Sequence, residues 1–202
     1  MRKFYSVHNF IILCIIGLGC GCESKKKSTH SVNFTQADSL TEIYLEYQDS
    51  ILLAWNMMIN DDNHKIKAMI GLLHEIQIAG NYDPELIKSL EHRTEQLKRI
   101  RYTSKTMSNA DLVEEYDFAS NSLVTELISL AEAHPAYSSN PILQKLVEQI
   151  RTADQRIENY RQAYDEIVRG FNKFLSENKD HLNTADIAGD IEKKPLFQMA
   201  SE

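Results

Sequence analysis

Residues 141–178 read PILQKLVEQIRTADQRIENYRQAYDEIVRGFNKFLSEN, and this stretch decides the fold. Leu143, Ile150, Ile157, Tyr164 and Phe171 recur every seventh residue. Between them Leu146, Ala153, Tyr160, Ile167 and Phe174 do the same. Two interleaved apolar rows of this period form the a/d seam of a helix in a bundle or coiled coil. Asn140 offers a side-chain oxygen to the unpaired N–H groups at the start, and Pro141 suits the first helical position. Lys145, Glu148, Arg151, Gln155, Glu158, Gln162 and Glu166 fall on the remaining faces, toward water or a neighbour's flank. At about 1.5 Å per residue the helix is roughly 55 Å long. Short elements cannot cover it, so the other helices are expected to be of comparable length.

Upstream, a first helix is expected from Ala37 or Asp38 to Gly80-Asn81, a pair suited to a left-handed stop. Ile43, Tyr47, Ile51, Ala54, Trp55 and Met58 make its apolar stripe, and Ile66, Met69, Leu73 and Ile76 resume it. The polar run Asn60 to Lys65 between them holds no glycine or proline, so the helix is expected to continue with a solvated middle. Asp83-Pro84-Glu85 opens a second helix, running to about Thr106 with Leu86, Leu90, Leu97 and Ile100 as its stripe. Ser108 to Asp111 resembles a capping box. It introduces a third helix carrying Leu112, Tyr116, Ala119, Leu123, Leu127 and Leu130 and ending before Pro135. Short connections place successive helices antiparallel. The expected fold is all-α, an antiparallel up-and-down four-helix bundle of long helices over residues 37–178. Gly170 inside the last helix marks a close approach of another helix.

The N-terminus reads as an address. Met1-Arg2-Lys3 is basic, Phe10 to Leu18 is apolar apart from Gly17, and Gly19-Cys20-Gly21-Cys22 follows. The apolar stretch is shorter than the ~20 residues a spanning helix needs. It fits a signal peptide over residues 1–19, with lipidation at Cys20 or, alternatively, Cys22. The competing reading is an uncleaved hydrophobic anchor. Residues 20–36 are polar, include Lys25-Lys26-Lys27, and suit a flexible lipid-anchored tether. Residues 179–202 form a tail in which Pro195 to Met199 make a small apolar cluster, expected to pack back on the bundle. All three cysteines lie in the first 22 residues, so the folded part has no thiol for a disulfide, a zinc site or a nucleophile. The net charge of −7 and the lack of a basic stripe argue against a nucleic-acid partner.

Several residues of the second half carry a family resemblance. Glu132-Ala133-His134-Pro135, Leu143, Leu146, Arg156-Ile157, Arg161, Tyr164, Val168 and Asn172 are similar to the C-terminal half of the LemA family. Ala54-Trp55, Leu72-Leu73 and Ile76 resemble that family's first long helix. The residues from His64 to Gly71 depart from the pattern usual there, a basic pair followed by Asp-Leu-Ile-Pro-Asn. The resemblance implies a membrane-attached bundle of long helices and brings no settled biochemical activity.

Asp61, Asp62 and His64 are the strongest polar candidates for a metal. Asp61 and His64, three apart, can share a helix face, whereas His74 is turned away. A solvated face is the default reading. Arg156 and Arg161 can clamp a carboxylate, and more commonly pair with acids such as Asp154 or Asp165. Tyr160 and Tyr164 read as core residues with hydroxyls at the rim. No nucleophile elbow or phosphate-cradling glycine loop is present, and no cofactor is expected. The sequence therefore suggests a non-enzymatic interaction or scaffold protein. It would be lipid-anchored at the cell membrane or outer membrane, face the periplasm or exterior, and bind a protein partner or itself. The alternative is a small envelope hydrolase or metal-dependent accessory enzyme built on the polar middle of the first helix.

Overall fold

The fold comes from a computed structural model in which residues 36–184 and 191–197 are described. The expected signal peptide, both lipidation candidates Cys20 and Cys22, and the tether up to residue 35 lie outside the described residues, while its last residue, Gln36, opens α1. Four α-helices make up the bundle: α1 (Gln36–Ala79), α2 (Pro84–Ile100), α3 (Ala110–Ala133) and α4 (Pro141–Thr184). A 3-10 turn, Tyr137–Ser139, precedes α4. Among the described residues, no helix is long and apolar enough to cross a membrane.

The long seam forms α4. Asn140 accepts from the N–H groups of Ile142 at 2.9 Å and Leu143 at 3.3 Å, which starts the helix. A non-helical residue, Asn178 (φ −119°, ψ 16°), interrupts α4 before its last residues. The row Leu143, Ile150, Ile157, Tyr164 and Phe171 is buried throughout. The second row is shifted by one residue from the expected register. Ala153 is buried, but Leu146, Tyr160, Ile167 and Phe174 are only half-buried. The interior positions are Val147, Val168, Leu175 and Leu182. Asp154 and Arg161 continue that row across the middle of the helix. The stripe is broad because α4 meets α1 on one flank and α3 on the other, so residues both three and four positions on turn inward.

The topology is up-down-up-down. Tyr44 of α1 lies 5.7 Å, ring to ring, from Phe171 of α4, and Asn140 before α4 donates to Glu75 near the end of α1. The two 44-residue helices therefore run antiparallel along their whole lengths. At about 1.5 Å per residue each is roughly 66 Å long. α3 is parallel to α1, since Tyr116 bonds Asp62 and His134 bonds the carbonyl of Gly80. The expectation of comparable lengths fails for α2 and α3, which have 17 and 24 residues. They cover only the C-terminal half of α1 and the N-terminal half of α4. Beyond them α1 and α4 cover each other, helped by residues 191–197. Gly170 permits the close approach there: a Cβ at that position would stand 3.1 Å from the Tyr47 hydroxyl.

α1 passes through Asn60 to Lys65 unbroken and stops at Gly80 (φ 79°) and Asn81 (φ 71°). Near its start Tyr44, not Ile43, faces inward. α2 opens on the Asp83 cap, whose carboxylate accepts from Glu85 N at 3.0 Å. Its inner stripe is Ile87, Leu90, Thr94 and Leu97, while the expected Leu86 and Ile100 are exposed. Thr94 is tolerated inside because its hydroxyl donates to the Leu90 carbonyl at 2.8 Å. α2 ends at Ile100 rather than near Thr106, because Arg101 turns to extended backbone and delivers Tyr102 into the core. At α3 the cap is Asn109, accepting from Asp111 N at 3.1 Å, in place of the expected box from Ser108. His134, before Pro135, is extended and ends α3.

Candidate functional site

Halfway along the rod, α1, α3, α4 and Arg101, the residue that follows α2, contribute charged groups to one layer. Half of the polar run in α1 is interior: Asp61, Asp62 and Lys65 are 6%, 3% and 3% exposed. The solvated-face expectation fails for these three and holds for Asn60, Asn63 and His64. Adjacent helix positions diverge by about 100°, so the two carboxylates serve different neighbours.

Asp61 points to α4, where Arg156 grips it through two bonds of 2.7 and 3.1 Å. Asp62 points between α2 and α3. It accepts from the Tyr116 hydroxyl at 2.6 Å to each oxygen and from Arg101 at 2.9 Å. Lys65, one turn on, donates to Asp154 at 3.0 Å and to Ser120 Oγ at 2.9 Å, and lies 3.6 Å from Asp62. Next along the rod, Arg161 forks onto Asp117 at 2.7 and 2.6 Å and donates to the Tyr102 hydroxyl at 2.6 Å. Its Nε is the one buried side-chain polar atom without a partner among the described residues.

Arg161 also lies over the rings of Tyr102 (5.7 Å) and Phe197 (5.1 Å). Phe197 stacks on Trp55 with ring centres 6.2 Å apart and meets Tyr164 edge-on at 5.3 Å. The Phe197 N–H donates to Asp165, and the Asn172 amide accepts from Lys194 N and donates to Lys194 O, each at 2.8 Å. Residues 191–197 thus strap the layer at its edge. A cavity of about 570 Å³ opens between α3 and α4 beside the layer, with Asp62 and Lys65 at its inner wall.

Arg156 and Arg161 therefore pair with acids of the chain itself, the commoner of the two readings, but with Asp61 and Asp117 rather than Asp154 or Asp165. Asp61, Asp62 and His64 do not converge as one ligand set. His64 lies 3.7 Å from Asp61 on the outside, while Asp62 is turned inward, and His74 is exposed. No group of three or more metal-ligating side chains is found among the described residues. Of the family-like positions, Trp55, Arg161, Tyr164 and Asn172 meet at the strap, and Arg156 joins the layer. Glu132 forms an exposed pair with Arg151 at 2.8 Å. The sequence reading missed Lys65, Arg101, Tyr102, Tyr116, Asp117 and Ser120. The signal available was the alignment of Asp154 and Arg161 with Val147, Val168 and Leu175 at intervals of seven.

The electrostatics follow from burial. Desolvation pushes the Tyr102 hydroxyl up to about 12, against the opposing pull of Arg161. Desolvation, helped by Asp165, does the same for Tyr164, to about 12. Tyr116 is raised further, by burial first and then by Asp62. Arg161 is raised despite its own burial, because Asp117 and Tyr102 hold its protonated form. In each tyrosine the folded pKa exceeds the unfolded one. Their contribution is complete below pH ~10 and is lost as pH rises through the folded values. Stability should fall by ~1.4 kcal/mol per tyrosine per pH unit between pH ~10 and ~12. In an alkaline titration, the tyrosinate absorbance of these three should appear together with loss of helix. Their full ionisation near pH ~10 in the folded chain would contradict the burial.

The fold and this layer define an antiparallel helical rod whose interior charges are paired across helices. A model of the LemA family matches residues 84–202, more than half of the chain, and the chain belongs to the LemA family. The match starts at Pro84, so α1 and the resemblance expected from Ala54 to Ile76 fall outside it. No curated protein and no solved structure matches the chain.

Proposed function

We propose that this chain is a lipid-anchored, non-enzymatic interaction module of the bacterial cell envelope. The observation that carries the reading is the apolar surface on the N-terminal half of α1, which α2 and α3 leave uncovered. Leu45, Leu52, Leu53 and Met57 are 54%, 56%, 61% and 41% exposed there. Isolated exposed leucines are ordinary, but several large ones on one uncovered helix segment suit a protein contact. The polar layer gives the enzymatic alternative little support. Lys65 and Ser120 have the pairing that a serine–lysine hydrolase would use. However, Ser120 Oγ accepts the hydrogen bond, and Asp154 and Asp62 hold the lysine. A base would instead have to receive the proton of Ser120.

Two measurements test the reading. Cys20→Ser should move the protein from the membrane fraction to the soluble fraction. If it stays lipidated, the anchor shifts to Cys22, and if it stays embedded without lipid, the segment is an uncleaved helix. A photo-crosslinker placed at Leu52 in the full chain, in native membranes, should trap protein. Trapping of no protein would remove the interaction reading.

A further inference from the structure

Leu45, Asp49, Leu52, Asn56 and Ile59 follow one another along α1 at intervals of four, three, four and three residues. That is the spacing of a coiled-coil seam. Leu45, Leu52 and Ile59 come one position after the buried row Tyr44, Ile51 and Met58, so they are turned from it by about 100°. Leu45, Asp49, Leu52 and Asn56 are exposed, and Ile59 is half-buried. The row continues at the same spacing through Asn63, Ile66, Ile70 and Leu73, over the part of α1 on which α2 packs. There Ile66 and Leu73 are buried and Ile70 is half-buried. α2 stops at Ile100, and Arg101 donates to Asn63 at 2.8 Å. The seam thus has a helix along its C-terminal part and none along its N-terminal part. A helix laid end to end with α2 would complete it.

The charge of the open part selects its occupant. Between Gln36 and His64, α1 has no lysine or arginine. Asp49 sits in the seam, and Glu42 and Glu46, seven residues before Asp49 and Leu53, share its face. All three acids are exposed, and no ion pair among the described residues involves them. Two copies meeting through this face would set carboxylates against carboxylates, and an anionic lipid surface would be repelled in the same way. α2 itself meets the acids of α1 with a basic end. Lys98 and Arg99 lie in its last turn, and Arg101 donates to Asp62 at 2.9 Å.

We infer that the open seam from Leu45 to Ile59 takes a basic amphipathic helix of a partner protein, laid end to end with α2. Its apolar side chains pack on Leu45, Leu52 and Leu53, and a lysine or arginine stands at Asp49. The proposal rests on the interaction reading and names the chemistry of the partner. Apolar residues at the seam spacing supply the contact, and a polar residue inside a seam fixes partner and register. The acids beside it discriminate against acidic helices.

The test uses the purified full chain and two synthetic helical peptides of about 20 residues. Both carry leucine at the seam spacing, one with lysine and the other with glutamate on the flanks. In fluorescence anisotropy the lysine peptide should bind about tenfold or more tightly than the glutamate peptide. Glu46→Lys with Asp49→Lys should reverse that order. Leu52→Ser with Leu53→Ser should weaken the lysine peptide about tenfold or more, which a purely electrostatic attraction would not show. All four positions are exposed, so folding should be kept, as thermal unfolding followed by circular dichroism would verify. Equal binding of the two peptides, an unchanged order after charge reversal, or full binding by the double serine variant would overturn the proposal. The photo-crosslinker at Leu52 in native membranes then separates it from the interaction reading. Adducts within a basic helix of another protein are expected. Adducts with a second copy, or with an acidic segment of another protein, would overturn the proposal and leave the interaction reading standing. No adduct beyond the chain itself would remove both.

Discussion

Asp62→Ala should destabilise the bundle by about 3–5 kcal/mol, the range expected when one partner of a buried ionic cluster is removed. The carboxylate accepts from Tyr116 and Arg101 and faces Lys65. Without it, the Tyr116 hydroxyl loses its acceptor inside the core, and Lys65 keeps only Asp154 and Ser120. For a chain of this size, that loss lowers the melting temperature by roughly 6–20 °C. Tyr116→Phe removes a donor and leaves Asp62 with Arg101, so it should cost less. Asp61→Ala should cost less too, because its Arg156 partner is close to half exposed and can be rehydrated. Near-neutral behaviour of Asp62→Ala would mean that the carboxylate faces water.

Ile157→Ala should cost about 2–5 kcal/mol, as large-to-small changes in a packed core do. Ile157 sits in the buried row of α4, level with the charged layer and lining the cavity beside it. Glu158, the next residue, is exposed and should cost under about 0.5 kcal/mol on replacement by alanine. Chemical denaturation of both variants checks the register of the helix. Equal losses would place the seam on another face.

The first row of α4, the caps at Asp83 and Asn140 and the continuity of α1 were legible because each depends on local chemistry. An apolar period, a carboxylate or amide before a proline, and the absence of a breaker are all visible within a few residues. The second core row was not. Asp154 and Arg161 occupy two of its positions, and a pattern that counts only apolar residues shifts to the neighbouring Leu146, Tyr160 and Phe174. The same blindness put Asp61, Asp62 and Lys65 in water. Their partners lie on or beside other helices, from 39 to 95 positions away, and nothing local announces them. Thr94 misled in the same way, since its hydroxyl is satisfied within α2 and it can stand in an apolar stripe. The end of α2 was missed for a tertiary reason: Arg101 leaves the helix to reach Asp62 and Asn63.

The polar layer acts as a clamp that fixes the register of α1, α3 and α4, holds the end of α2 through Arg101, and is consumed in doing so. Buried ionic groups are best attested in that register-setting role. Calorimetric unfolding of the full chain and of Asp62→Ala, each with and without magnesium, calcium, manganese or zinc, tests this most directly. The clamp predicts a large fall in melting temperature for Asp62→Ala and the same melting temperature for the parent with every metal. A metal-dependent rise in the parent that disappears in Asp62→Ala would contradict it and make the layer a ligand site.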